Sequence, residues 1–253
     1  AVFTFLTMCE HQSNRRKRDE VQHGSYHQYY EFRPQDSRPE HLKKCLLGCR
    51  TQLNVPPTGT IHLLDIGCNR GLLSNSVLAV VREIFGDRHV SLLGVDIDEE
   101  LVRDARKEFE GIEFVQADIS AIAAGRVEND PIGDYLSRNQ IDRFDMIFCF
   151  SVLMYPHLNH GDEGLRLVLD YICSKTKVLV LELQSWEKYR DNVRRLKRDC
   201  REQFPLYEKL EWRGNQGKLE QNVYKYVEKQ GFERKSEELN KNEYKRNIVI
   251  YSS

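Results

Sequence analysis

The sequence predicts an α/β fold in which a mostly parallel sheet is covered by helices on both faces. Short apolar runs typical of buried strands alternate with segments of helical spacing, beginning with TIHLLDIG at residues 60–67. Such alternation indicates crossover connections, which make neighbouring strands parallel. Polar residues follow the strands at their carboxyl ends, which is where ligands bind in sheets of this kind.

The elements follow in order along one domain. Residues 1–22 are polar and charged without periodicity, so we expect a mobile tail before a domain at residues 23–253. A helix is expected over about residues 39–52, and a second from Leu72 to Phe85, which Gly86 stops. The remaining predicted elements are a strand at 91–98, a helix at 99–109, and strands at 112–119, 144–152, 178–183 and 245–253.

The composition excludes several classes of protein. A net charge of −1 over 253 residues is not that of a polycation, so contact with nucleic acid must come from local basic patches. Seven cysteines without a C-x-x-C pair indicate a reduced intracellular protein, neither a disulfide scaffold nor a zinc module. No segment has the roughly 18 apolar residues that a membrane span needs. We expect a cytoplasmic monomer without a metal, and the basic run at residues 14–20 leaves a nuclear location open.

Acidic residues at three successive strand ends indicate a nucleoside-containing cofactor. LLDIGCNRG (63–71) retains only Gly67 and Gly71 of the glycine pattern expected of a dinucleotide site. Asp96 ends the second strand, where a carboxylate can accept both ribose hydroxyls, and Asp118 ends the third. Each aspartate could instead cap a helix. The loop resembles the first motif of class I S-adenosylmethionine methyltransferases, in which an acidic residue precedes a glycine-rich bend.

Three further segments resemble one methyltransferase family. YPHLNHGDEGL (155–165) is similar to the H-L-N-x-G-D-x-G-L box of the bicoid-interacting family of RNA 5′-phosphate methyltransferases. ELQSWEKYR (182–190) resembles its E-P-Q-P-W box, although Leu183 and Ser185 replace both prolines. HGSYHQYYEFRP (23–34) resembles its tyrosine-rich segment. The resemblance implies a Rossmann-like class I methyltransferase fold with a mostly parallel seven-stranded sheet.

The resemblance also implies the residues of the site. Those expected to contact S-adenosyl-L-methionine are Arg38, Asp65, Gly67, Asn69, Asp96, Asp118, Ile119 and Phe150, with Arg33 as a competing choice for Arg38. Those expected around the acceptor are Tyr29, Tyr30, His157, Asn159, Gln184 and Trp186. In this scheme His157 and Asn159 hold phosphate oxygens, the tyrosines close over the reacting centre, and Trp186 walls it or stacks on the first nucleotide.

Simpler interpretations of these residues stay open. The tyrosines and Trp186 could be packing residues, and Asp162 could cap a helix starting at Glu163. His157 and His160 lie three residues apart, but loop histidines without a third ligand are more often structural than metal-binding.

The function implied is methyl transfer to the 5′-monophosphate of a small RNA of the tRNA or microRNA-precursor class. A phosphate monoester has its second pKa near 6, so its oxygen is already a nucleophile at neutral pH. The family's other branch methylates the γ-phosphate of a small nuclear RNA 5′-triphosphate. A non-catalytic RNA-binding protein that keeps the fold is the alternative from another class. FSVL (150–153) lacks the Asn/Asp-Pro-Pro-aromatic box of base methyltransferases, which argues against base methylation.

A basic segment follows Trp186. It contains Lys188, Arg190, Arg194, Arg195, Lys197, Arg198 and Arg201. If the segment is helical, residues 190, 194, 197, 198 and 201 share a face. A solvated surface and a track for the RNA backbone are equally compatible with this pattern.

Overall fold

The computed structural model describes residues 16–31, 36–86, 88–236 and 246–253. Its strands are β1 (Ile61–Ile66), β2 (Val90–Asp96), β3 (Glu113–Gln116), β4 (Phe144–Phe150), β5 (Thr176–Glu182), β6 (Glu233–Arg234) and β7 (Ile248–Ser252). They form one seven-stranded sheet in the order β3-β2-β1-β4-β5-β7-β6. β1 to β5 are parallel and β7 is antiparallel to both of its neighbours, which confirms the expected architecture.

Helices cover both faces of this sheet. In the described part of the chain they are α1 (residues 16–23), α2 (Arg38–Cys49), α3 (Leu72–Phe85), α4 (Glu99–Glu108), α5 (Ile119–Ala123), α6 (Pro131–Arg138), α7 (Met154–Lys175), α8 (Trp186–Cys200) and α9 (Lys218–Lys229). Short 3₁₀ turns lie at Arg50–Gln52 and Tyr207–Lys209. No helix among the described residues is long and apolar enough to cross a membrane.

Successive residues of each strand pack into opposite layers, as the period of two requires. Leu63 of β1 belongs to a core shared with α2, α3 and α4, whereas its neighbour Leu64 belongs to a core shared with α5, α6, α7 and α9. A third, smaller cluster lies beneath α8 and includes Val21 of α1, Met154 and Trp186. This third cluster fixes the elements that cover the carboxyl end of the sheet.

Three expectations about local structure need correction. Residues 16–22, which belong to the predicted tail, form a helix together with His23, and Val21 is buried; residues 1–15 lie outside the described residues, and the division into tail and domain stays a prediction. The segment from Met154 is helical, not a loop, and only Gly161 (φ 71°, ψ −171°) interrupts α7. β6 was not predicted because it is two polar residues long.

Asp162 does not act as the predicted helix cap. Its carboxylate accepts hydrogen bonds from the backbone N–H groups of Glu211 and Trp212, both at 2.8 Å. These donors lie in the loop between Tyr207–Lys209 and α9, so the side chain ties α7 to a distant segment. The tie is tertiary, which explains why a local capping rule missed it.

Candidate active site

A cavity of about 620 Å³ lies at the carboxyl ends of β1 to β5, within the usual size range of small-molecule sites. Residues between Glu20 and Tyr30 cover it from one side, and the first turns of α7 and α8 close the other. All eight predicted cofactor residues line it: Arg38, Asp65, Gly67, Asn69, Asp96, Asp118, Ile119 and Phe150. The topology therefore brings these residues together as the sequence predicted.

The loop after β1 bends sharply beneath this cavity. Gly67 has φ 78°, and a Cβ atom there would lie 2.7 Å from Cγ2 of Val152. Asn69 also has a positive φ, and its backbone N–H donates to the Asp96 carboxylate at 2.9 Å. A side chain at position 67 would push Val152 away, so glycine permits close packing of the loop against the end of β4.

Asp96 and Asp118 differ in their structural roles. Asp96 accepts from the backbone N–H groups of Asn69 and Asp98 and caps no helix, and burial raises its pKa to about 6. Asp118 caps α5 by accepting from Ser120 at 2.8 Å, and it lines the cavity as well. The capping alternative is thus correct for Asp118, which still faces the site.

Arg38 is the basic residue at the β1 side of the cavity. Its guanidinium pairs with Asp36 at 2.6 Å and lies 5.5 Å from the centre of the Tyr29 ring. Asp65 is buried, accepts from the Ser74 hydroxyl at 2.5 Å, and has a pKa raised by burial to about 6. Arg33 lies outside the described residues, so the choice between it and Arg38 stays a prediction.

These residues fit S-adenosylmethionine. The guanidinium of Arg38 suits the carboxylate of its methionine part, and Asp96 suits the two ribose hydroxyls. Asp118 and the backbone of Ile119 suit the edge of an adenine. Gly67 and Asn69 of the bend after β1 line the same cavity.

Four of the six predicted acceptor residues line the cavity, namely Tyr29, Tyr30, Asn159 and Gln184. The Tyr30 hydroxyl accepts from the backbone N–H of Leu73 at 3.3 Å, and burial raises its pKa, so it is a neutral phenol. Asn159 donates from its side-chain amide to the carbonyls of Gln22 and Tyr155, at 2.8 and 2.9 Å. Its amide therefore holds α1 against α7.

His157 does not face the cavity, so the prediction that it holds phosphate oxygens is wrong. Its side chain is 0% exposed and its two ring nitrogens lie 3.1 Å from the Tyr189 hydroxyl and the Asp162 carboxylate. Burial lowers its pKa, so the ring is neutral at physiological pH. His157 links α7 to α8 and is a structural residue.

Trp186 is also a packing residue and does not wall the reacting centre. It is 9% exposed, and its ring stacks on Tyr207 with centroids 5.4 Å apart. It lies in the cluster beneath α8, outside the residues that line the cavity. The simpler interpretation of this tryptophan was the correct one.

Several residues that line the cavity were not among the expected cofactor and acceptor residues: His23, Tyr26, Ser151, Tyr155, His160, Lys188, Arg195 and Arg246. Arg246 precedes β7 and donates from Nη1 to the Ser151 hydroxyl and to Glu182. Ser151 has φ 56°, and its carbonyl accepts from the Gln184 amide. Nothing local marks Arg246, because it reaches the site only through the pairing of β7 with β5.

Comparison with known proteins gives the class of this domain. A methyltransferase domain model matches residues 64–172. The structure of the citrinin polyketide synthase CMeT domain aligns with a TM-score of 0.54, 13% identity, and coverage of 85% of this chain and 52% of that one. The structure of the CurJ carbon methyltransferase aligns with a TM-score of 0.53 and 17% identity, and the match covers 89% of this chain and 57% of that one. The fold and the site together define a class I S-adenosylmethionine-dependent methyltransferase domain.

The family follows from sequence relatives. The model of Bicoid-interacting protein 3 (Bin3) matches residues 144–253. The pre-miRNA 5′-monophosphate methyltransferase of Xenopus laevis is 31% identical over 76% of this chain and 78% of its own. The RNA 5′-monophosphate methyltransferase of Mus musculus is 32% identical over 77% of this chain and 71% of its own. The U6 snRNA methylphosphate capping enzyme Amus of Drosophila melanogaster is 30% identical over 66% of this chain and 55% of its own. The chain belongs to the Bin3 family.

Asp96→Ala is expected to weaken S-adenosylmethionine binding by about 1–3 kcal/mol, the usual range for losing hydrogen bonds to a charged group. Asp98→Asn is the matched control, because Asp98 caps α4 and does not line the cavity. Isothermal titration of both variants, after circular dichroism has verified folding, measures the difference. Wild-type affinity in folded Asp96→Ala would remove Asp96 from the cofactor site.

Proposed function

We propose that this protein transfers a methyl group from S-adenosylmethionine to the 5′-monophosphate of a small RNA, of the tRNA or microRNA-precursor class. The observation that carries the proposal is the composition of a single cavity. Its lining combines the residues that fit the cofactor with the basic side chains of Lys188, Arg195 and Arg246. The relatives from Xenopus laevis and Mus musculus, both named as 5′-monophosphate methyltransferases, support the same acceptor.

The proposed reaction needs positioning and charge balance more than a strong base. The cofactor, when bound, supplies an electrophilic methyl group on a sulfonium. On transfer to a terminal phosphate oxygen, a new O–C bond would replace the C–S bond of the bound cofactor, whose sulfur would keep the bonding pair. Because the second pKa of the phosphate is near 6, no side chain has to remove a proton.

The residues of the chain would act by orienting the phosphate and balancing its charge. Arg246 is held by Ser151 and Glu182 beside the end of β4, next to the bend that cradles the cofactor. Tyr29 and Tyr30 lie edge to face with ring centroids 5.1 Å apart, and both line the cavity. Arg246 thus takes over the phosphate contact that the sequence had assigned to His157.

A second candidate is methylation of the γ-phosphate of a triphosphate RNA, which the likeness to the capping enzyme from Drosophila melanogaster favours. A protein that binds RNA without turnover is the alternative from another class, and titration with cofactor separates it from both enzymes. A cytoplasmic location and a monomeric state stay predictions.

The function is tested by incubating the protein with methyl-labelled cofactor and total small RNA. Label is expected on discrete RNAs, and prior treatment of the RNA with phosphatase is expected to prevent labelling. Nuclease digestion of the product should release the label with the 5′-terminal nucleotide. The Asp96→Ala variant, whose cofactor binding is expected to be weaker, serves as the low-activity control at limiting cofactor. Label on internal nucleotides would contradict the proposal.

A further inference from the structure

The basic residues of α8 lie on different sides of the helix. Lys188 and Arg195 line the cavity and are seven residues, or about two turns, apart, so they share one side. Arg194 and Arg198 have side chains 71% and 73% exposed and do not line it. The face at residues 190, 194, 197, 198 and 201, for which the sequence left a solvated surface and an RNA track equally open, is therefore not the one that meets the cavity.

Arg195 lines the cavity and packs against Tyr26. Its guanidinium carbon lies 5.0 Å from the centre of the Tyr26 ring, and Tyr26 lines the cavity too. The Tyr26 hydroxyl donates to Asn192 Oδ1 at 3.5 Å, and the amide of Asn192 donates to the carbonyl of Val21 at 2.8 Å. Arg195 of α8 thus lies over the ring of Tyr26, which belongs to the segment after α1, and both side chains line the cavity.

Lys188 and Arg195 form long ion pairs with acidic side chains, which a phosphate can displace. Arg195 is 3.8 Å from Glu20 and 3.6 Å from Asp199, and Lys188 is 4.0 Å from Asp191. Ion pairs of this length between partly exposed groups contribute little stability. An RNA phosphate can therefore replace them without a large loss.

We propose that Tyr26, Lys188 and Arg195, here named the entry rim, bind the RNA chain where it leaves the cavity. Lys188 and Arg195 contact the first internucleotide phosphates, and Tyr26 stacks on a base near the 5′ end. Aromatic rings and arginine planes bind single-stranded bases in this way, without reading their sequence. The inference rests on the proposed function, which places the 5′ phosphate inside the cavity.

Matched double variants of one helix test the rim. Lys188→Gln/Arg195→Gln and Arg194→Gln/Arg198→Gln remove the same charge from α8. Binding of a 5′-phosphorylated single-stranded RNA is measured by fluorescence anisotropy across a range of salt concentrations. The rim variant is expected to lose at least tenfold in RNA affinity at low salt. The slope of the logarithm of affinity against the logarithm of salt concentration is expected to become shallower by about 1.4, since each single-strand phosphate contact contributes roughly 0.7 to it. The control variant is expected to keep the wild-type slope.

Tyr26 is tested by a second pair of variants. Tyr26→Phe is expected to keep RNA affinity because it keeps the ring, whereas Tyr26→Leu is expected to lose it. Equal losses in both would mean that Tyr26 acts through its bond to Asn192, which would overturn the stacking role. Titration with S-adenosylmethionine reports whether each variant has kept its fold.

The outcomes separate this proposal from the proposed function. A larger loss in Arg194→Gln/Arg198→Gln would move the RNA to the outer face of α8 and overturn the rim, as would equal losses in both double variants. Because anisotropy needs no methyl transfer, a wild-type protein that binds RNA through the rim but methylates none would contradict the function and leave the rim standing.

Discussion

Removal of the 5′ phosphate from an RNA substrate is expected to abolish methyl transfer, because the attacking oxygen belongs to that phosphate. One RNA with a 5′-monophosphate, a 5′-hydroxyl or a 5′-triphosphate makes the comparison, with initial rates measured at saturating cofactor. The triphosphate is expected to react poorly, since two further phosphates displace the reacting oxygen from the methyl group. A misplacement of ~1 Å already costs about a hundredfold in rate.

Each other result of this comparison has a definite meaning. Faster methylation of the triphosphate would place the protein with the capping enzymes. Equal methylation of all three RNAs would show that the acceptor is not the 5′ phosphate. Unlabelled 5′-hydroxyl RNA serves as the control when added as a competitor. It should bind at the entry rim without reacting and thereby inhibit methylation of the 5′-monophosphate RNA.

The cofactor side of the cavity was predictable because strand ends carry the information. Asp65, Asp96 and Asp118 lie at or next to the ends of β1, β2 and β3, three strands that are adjacent in the sheet. Once the strands are recognised as parallel, their carboxyl ends must meet at one edge. Sequence order and spatial order coincide here, so the order of motifs along the chain predicted residues that lie together at one cavity.

The acceptor residues were less predictable, because the packing of a helix decides which of its side chains face the cavity and which are buried elsewhere. In the stretch from His157 to Asp162, the neighbours Asn159 and His160 line the cavity whereas His157 points to Tyr189. Which residue of a helix faces a site follows from its packing, and the partner of His157 lies 32 residues further along the chain. The same limit hid Arg246, which reaches Ser151 across 95 residues.

Arg246→Met is expected to destabilise the protein by about 3–5 kcal/mol, the usual loss when one partner of a buried ion pair is removed. Glu182 is 0% exposed, and its Oε1 lies 3.3 Å from Nη1 of Arg246, which is 9% exposed. The truncation leaves a carboxylate in the protein interior with this cation lost. Urea unfolding followed by circular dichroism measures the change in the free energy of unfolding.

A second substitution, at Glu182, tests whether the buried charge of this carboxylate causes the loss of stability. Adding Glu182→Gln to Arg246→Met removes the buried charge and keeps an oxygen that can accept from the Ser151 hydroxyl, so it is expected to restore much of the stability. Arg138→Met breaks an exposed pair with Glu113 and is expected to leave the urea midpoint nearly unchanged. If the double variant is less stable than Arg246→Met, the pair is not coupled in this way. Arg246 would then stabilise the ends of β4 and β5 mainly by its bond to Ser151, whose backbone has φ 56° and needs to be held in place.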